Sequence, residues 1–208
     1  MPTNATFVSD ITRRLCDRSC VLFLGAGVNY GVKSKSGSRF PLGNDLSKLI
    51  CSNLLEDATL EIDLDEAAEM ARYKCGHESL NKLIYDSFKN FEYGSAHWLI
   101  KDLPWSSVYT TNYDTLLESA YSSNEDTEGL NLAPIYASTT ELTDLENKDL
   151  PFYKIHGCIT HANTDEGRLI LTKDDYRHYQ QFRKPLFKRL AGDISSRCIL
   201  FLGYSLSD

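Results

Sequence analysis

Two short stretches carry residue types that chemistry uses and that packing alone seldom requires. Thr110-Thr111-Asn112-Tyr113-Asp114 follows the run Ser106-Ser107-Val108-Tyr109, and Lys154-Ile155-His156-Gly157 follows Pro151-Phe152-Tyr153. Histidine is the side chain whose ordinary pKa lies nearest neutrality, so it suits proton transfer at physiological pH. Asparagine orients a hydroxyl or a water without carrying charge. Each has a plainer alternative. His156 could be a satisfied core histidine, and Asn112 could cap a helix starting near Tyr113, a role open equally to Thr111 or Asp114. The histidines at 77, 97, 161 and 178 lie in helical or polar-loop contexts and read as structural. No Ser-His-Asp order, His-Glu-x-x-His or phosphate-loop lysine motif is present.

A third stretch, Val21 to Gly31 (VLFLGAGVNYG), reads as a strand and a glycine turn. Glycines here let a backbone approach a pyrophosphate with its N–H groups pointing at it. Val28-Asn29-Tyr30 departs from the third small residue of a dinucleotide fingerprint, so a tight turn after a core strand is the alternative. Two more polar stretches, Leu171 to Tyr176 (LTKDDY) and Phe201 to Asp208 (FLGYSLSD), follow apolar runs. Counting all five, polar residues recur at the C-terminal ends of expected strands, where open α/β sheets bind ligands.

The elements that must position these stretches alternate. Strands are expected at Cys20–Leu24, Ser106–Thr110, Phe152–Ile155, Arg168–Leu171 and Arg197–Leu202, with helices at Thr6–Arg18, after Pro41 (capped by Asn44 or Asp45), Tyr113–Tyr121, Lys173–Tyr179 and Phe182–Ile194. Ser122–Asn131 is polar and acidic and reads as a loop. Residues 60 to 102 show helical periodicity at Asp65–Tyr73, Glu78–Phe88 and Ser95–Leu103. The pattern predicts a single α/β domain over 1–208: a Rossmann-like, mostly parallel sheet flanked by helices, with a helical insertion at about 55–103. A chain ending six residues after a very apolar strand is expected to continue beyond Asp208.

Composition narrows the function classes. Of 208 residues, 42% are hydrophobic and 25% charged, the values of an ordinary globular chain. A net charge of −7 argues against a nucleic-acid or membrane-surface role, both of which favour a basic face. No apolar run is long enough for a membrane span and no signal-peptide core opens the chain, so a cytoplasmic protein is expected. Six cysteines without a CxxC pair read as reduced thiols that fill the core, with no zinc module and no metal.

Gly25-Ala26-Gly27, Pro41-Leu42-Gly43, TTNYD, KIHG and Gly203-Tyr204-Ser205-Leu206-Ser207-Asp208 occur in the order and spacing of the sirtuin-like fold. From Val21 to Asp208 the chain resembles most the sirtuin-like NAD hydrolase domains of bacterial anti-phage defence proteins. The resemblance implies that Gly25, Ala26 and Gly27 hold the NAD pyrophosphate, and that Asn112 sits by the nicotinamide ribose with Thr111 and Asp114 beside it. It further implies that His156 is the base and that Gly203, Ser205 and Asp208 lie along the adenosine half. NAD is then the substrate, and the reaction depletes cellular NAD on infection. Control by homo-oligomer assembly, by a C-terminal sensor region or by a phage-derived trigger is expected with it.

Two rivals remain. Protein-lysine deacylation would require the zinc module and the proline–phenylalanine–arginine segment of the deacylases, neither of which the sequence carries; Arg39 does not match that arginine. A non-catalytic NAD or ADP-ribose sensor would keep the glycine turn and GYSLSD without needing both Asn112 and His156.

Overall fold

The computed structural model describes residues 4–123, 129–136, 145–165 and 167–205. Its centre is a five-stranded, wholly parallel sheet: β1 (Cys20–Leu24), β2 (Ser107–Thr110), β3 (Asn131–Ile135), β4 (Asp149–Lys154) and β5 (Cys198–Leu202), in the order β3-β4-β2-β1-β5. Every residue of β1 and β2 is buried, as expected of unbroken apolar strands covered on both faces. Seven α-helices are present among the described residues: α1 (Asn4–Cys16), α2 (Gly43–Ile50), α3 (Leu64–Cys75), α4 (His77–Phe88), α5 (Ser95–Lys101), α6 (Leu116–Ser122) and α7 (Lys173–Ser196).

The expected α/β fold is therefore what forms, and the register explains how it gathers polar stretches. Leu24 pairs with Thr110 on one side and Leu202 on the other, while Thr110 pairs with Lys154. The four strands end in one row, so Gly25, Thr111, Ile155 and Gly203 emerge side by side. Because β2 and β5 leave β1 in opposite directions, this row opens a crevice at a topological switch point.

Helices α2 to α5 fill the connection between β1 and β2. Leu46, Ile50, Ala67, Ala68, Ala71, Leu80 and Ile84 bury a core of their own, closed by Ile159, Leu169 and Leu171. The alanines let α3 approach its neighbours closely. Among the described residues no helix is long and apolar enough to cross a membrane. All six cysteines are free, with Cys20, Cys51 and Cys158 buried. Cys20 faces Cys198 across the β1–β5 ladder, and burial together with that neighbour pushes its thiol up to about 11.

Four local expectations fail, each for a physical reason. The buried run Leu169-Ile170-Leu171 is extended but joins no ladder; its leucines pack into the helical layer instead. The missing strand is β3, which contains Pro134 and lies at the sheet edge, where a missing N–H is tolerated. The two helices expected around residue 180 are one, α7, running through Pro185; Tyr179, Arg183, Leu186 and Leu190 continue its inward face across the expected break. Neither Asn44 nor Asp45 is the cap of α2. That position belongs to Leu42, whose N–H donates to the Asp45 carboxylate at 3.2 Å.

Candidate active site

The row of strand ends lines a cleft of about 660 Å³ that brings together Ala26, Gly27, Asn29, Thr111, Asn112, Tyr113, Asp114, His156, Tyr176, Gly203, Tyr204 and Ser205. Four of the five polar stretches converge there. The fifth differs in kind: Thr172 is the N-cap of α7, its hydroxyl accepting from the Asp175 N–H at 3.2 Å, and only Tyr176 reaches the cleft. Asp208 lies outside the described residues.

The glycine turn is held by the end of β5. Gly25 N–H donates to Leu202 O at 3.0 Å and Gly27 N–H to Gly203 O at 2.8 Å. A Cβ on Gly27 would come within 2.8 Å of Gly203, and Gly203 itself has φ +64 against Gly27 and Val28. These glycines thus allow the two backbone segments to touch. Two of the turn amides expected to cradle a pyrophosphate are already bonded to protein. Ala26 and Gly27 still form one wall of the cleft.

Asn112 is not a cap. Helix α6 begins at Leu116, whose N–H donates to Asp114 Oδ1 at 3.0 Å. The Thr110 hydroxyl bridges strands, donating to Leu24 O at 3.1 Å and accepting from the Asn112 N–H at 3.0 Å. The Asn112 side chain then reaches across the cleft floor, its Nδ2 donating to Gly25 O at 3.2 Å. That bond fixes the amide's orientation and leaves Oδ1 buried without a hydrogen-bond partner among the described residues. An unmet buried acceptor is costly in a finished core and useful where a ligand hydroxyl will arrive.

His156 stands on the wall opposite the glycine turn with only 6% of its surface exposed. The rings of Tyr113 and Tyr176 frame it, with centroids 6.5 and 5.5 Å away, the latter edge-on. Burial, aided by the charge of Arg183, lowers the imidazole to about 4. At neutral pH it is uncharged and able to accept a proton.

Three residues that sequence reasoning set aside or never singled out complete the floor. Asn29 Nδ2 donates to Asp114 Oδ2 at 2.7 Å, and Asn29 Oδ1 meets His97 Nε2 at 3.1 Å. Gly94 N–H donates to His97 Nδ1 at 3.1 Å, so the proton of this neutral imidazole sits on Nε2 and points at Asn29. Burial lowers the His97 pKa against the pull of Asp114, consistent with that tautomer. Asp114 therefore gives both oxygens to protein groups and orients the loop. Beneath it, fully buried Lys154 donates to Asp114 O and to Glu118 Oε1, the latter at 2.7 Å. Burial alone would lower the Lys154 pKa, but the Glu118 carboxylate outweighs it and keeps the ammonium charged. The lysine of KIHG is thus a strut under the loop that carries Asn112.

A neutral base and an oriented amide with an unmet acceptor, on one cleft at parallel strand ends, suit a ligand that presents hydroxyls and a labile bond. Among the described residues no group of three or more His, Cys, Asp or Glu side chains is placed to hold a metal. Fold and site together fit the resemblance to the sirtuin-like fold.

Comparison with known proteins agrees. Residues 106–208, just under half of the chain, match the SIR2-like domain family. It is similar to the NAD(+) hydrolase ThsA of Bacillus cereus (strain MSX-D12), 28% identical with all of this chain and 41% of the relative aligned. The NAD(+) hydrolase ThsA of Enterococcus faecium is 32% identical over 74% of this chain and 33% of its own length, and that of Cytobacillus dafuensis 27% identical over 97% and 38%. The chain spans about two fifths or less of the length of these relatives.

Proposed function

We propose that residues 1–208 form a NAD-hydrolysing domain that cleaves the bond between nicotinamide and ribose, giving nicotinamide and ADP-ribose. The observation that carries this reading is the pairing of Asn112, with its unmet Oδ1, and neutral His156 on one cleft. The names of the relatives and the SIR2-like match support the choice of substrate.

In this reading the cleft holds the dinucleotide with its pyrophosphate toward Ala26 and Gly27 and its adenosine half toward Gly203 and Ser205. Asn112 Oδ1 accepts from a hydroxyl of the nicotinamide ribose, fixing the sugar. The C–N bond breaks with its electron pair leaving on nicotinamide, which departs neutral, and the ribosyl carbon becomes oxocarbenium-like. A water oxygen bonds to that carbon, and His156 takes the released proton. An uncharged imidazole is the form this step needs. Asp114 acts from below by holding the loop.

The biological role we infer is NAD depletion by a cytoplasmic anti-phage effector. Its activity would be restrained by homo-oligomer assembly or by a sensor region following Asp208, and released by a phage-derived trigger. The test is chromatography of NAD incubated with the full-length protein at neutral pH. Equimolar nicotinamide and ADP-ribose support the reading; NAD bound but unchanged in the presence of every trigger tried would favour a sensor.

A further inference from the structure

Arg183 is the largest of the almost fully buried side chains among the described residues, with 1% of its surface exposed. It lies on the inward face of α7, seven residues after Tyr176, amid Tyr179, Leu186 and Leu190. One of its donors is satisfied, Nη2 to Arg168 O at 2.8 Å. Nε and Nη1 have no hydrogen-bond partner, and no carboxylate pairs with the guanidinium, among the described residues. Burial, with Arg168 adding to it, lowers this group to about 10, still cationic at neutral pH. An unpaired cation here costs free energy that a methionine or leucine would not, and packing gives no reason for it.

Two features tie Arg183 to His156. The segment it grips is laced to the histidine's own backbone: Ile170 N–H donates to His156 O at 3.0 Å and Cys158 N–H to Gly167 O at 3.1 Å. Tyr113 from the loop after β2 and Tyr176 from α7 frame the imidazole, Tyr179 and Tyr204 share its cavity, and Asp45 and Asp114 line the same cleft. Arg168, on the gripped segment, is paired with Asp175 at 3.0 Å. Arg183 is the cation in that set without a carboxylate partner among the described residues.

We propose that Arg183 is a positioning residue for His156: through its bond to Arg168 O it braces the 167–171 segment, to which the backbone of His156 is tied. The proposal rests on the reading of His156 as the base for NAD cleavage.

The test uses the full-length protein with Arg183→Met and Arg183→Lys, and three readouts: thermal melting, the pH dependence of NAD cleavage, and the His156 titration midpoint by NMR. Arg183→Met is expected to melt no lower than wild type while kcat falls about tenfold or more and KM stays within about twofold. The NMR midpoint and the acid limb of activity should rise together by about one pH unit or more. Arg183→Lys, retaining the charge, should return the midpoint toward wild type. Undiminished kcat per folded molecule in Arg183→Met overturns the proposal, whether or not the melting temperature moves. If the wild-type protein cleaves no NAD, the hydrolase reading falls and the NMR midpoint alone decides whether Arg183 governs His156.

Discussion

Two buried polar clusters lie within this molecule and are built on opposite principles. Around Asp175, with 4% exposure, both carboxylate oxygens are partnered: Arg72 meets them at 2.9 and 2.5 Å, Arg168 adds a bond at 3.0 Å, and the amides of Leu171 and Thr172 complete the shell. This knot fastens α3 to the start of α7 and to the segment beside His156. Around Asn112 and His156 the accounting is left open among the described residues, with an unmet Oδ1, an imidazole framed by rings, and an Arg183 whose Nε and Nη1 have no hydrogen-bond partner. Satisfied buried charge holds parts together, and unsatisfied polarity at a cleft awaits a ligand.

Substitutions in the two clusters should therefore fail in different ways. The largest effect is expected from His156→Ala, which should lower nicotinamide release by roughly 10²–10⁴-fold; a loss below about tenfold would remove the histidine from the chemistry. Asp175→Ala should leave Arg72 and Arg168 facing a void and lose on the order of 3–5 kcal/mol of stability, read by chemical denaturation. Its activity per folded molecule should fall far less than that of His156→Ala.

Acid sharpens the contrast. His156 has a folded pKa near 4, below the ordinary histidine value of 6.5. The unfolded chain therefore binds the proton first. The stability contributed by the neutral ring is complete above pH 6.5 and drains away as pH falls toward 4, by on the order of 3 kcal/mol in total. Asp175 is held well below the ordinary carboxylate range, since its arginine and amide partners outweigh burial. Its contribution is present above the unfolded value near 3.9 and is lost only at still lower pH. Melting curves should thus decline in two separate windows, and His156→Gln should shrink the upper one, to which His97 also contributes, and leave the lower one intact. The smallest effect is expected at Asn29: Asn29→Ala strips partners from Asp114 and His97, lowering stability by about 1–3 kcal/mol. It should also reduce activity less than His156→Ala does.

The two clusters were unequally legible in the sequence. Gly25, Thr111, His156 and Gly203 announce themselves as polar or glycine breaks after short apolar runs, and a parallel sheet with strands ending in one row brings such breaks together. The supports beneath them did not. Asn29 reaches Asp114 across 85 positions and His97 across 68, and Arg72 reaches Asp175 across 103, with no local pattern to mark either partner. Apolar runs also mislead where the ladder has no room: Leu169-Ile170-Leu171 has the composition of a strand, yet β4 is already flanked by β2 and β3. Lys154 was legible only as part of a polar strand end; that it is wholly buried depends on Glu118, which arrives from α6 to meet it.

The contrast between open and closed clusters is tested most directly at Asn112. Nicotinamide release and thermal melting should be measured together for full-length wild type and Asn112→Ala, under conditions in which the wild type is active. The account predicts that release falls by about 10²-fold or more while the melting temperature moves by no more than a few degrees, since Oδ1 has no partner among the described residues and Nδ2 makes one long bond. A variant that melts much lower yet cleaves NAD at the wild-type rate per folded molecule would contradict it, and would make Asn112 a brace for the glycine turn.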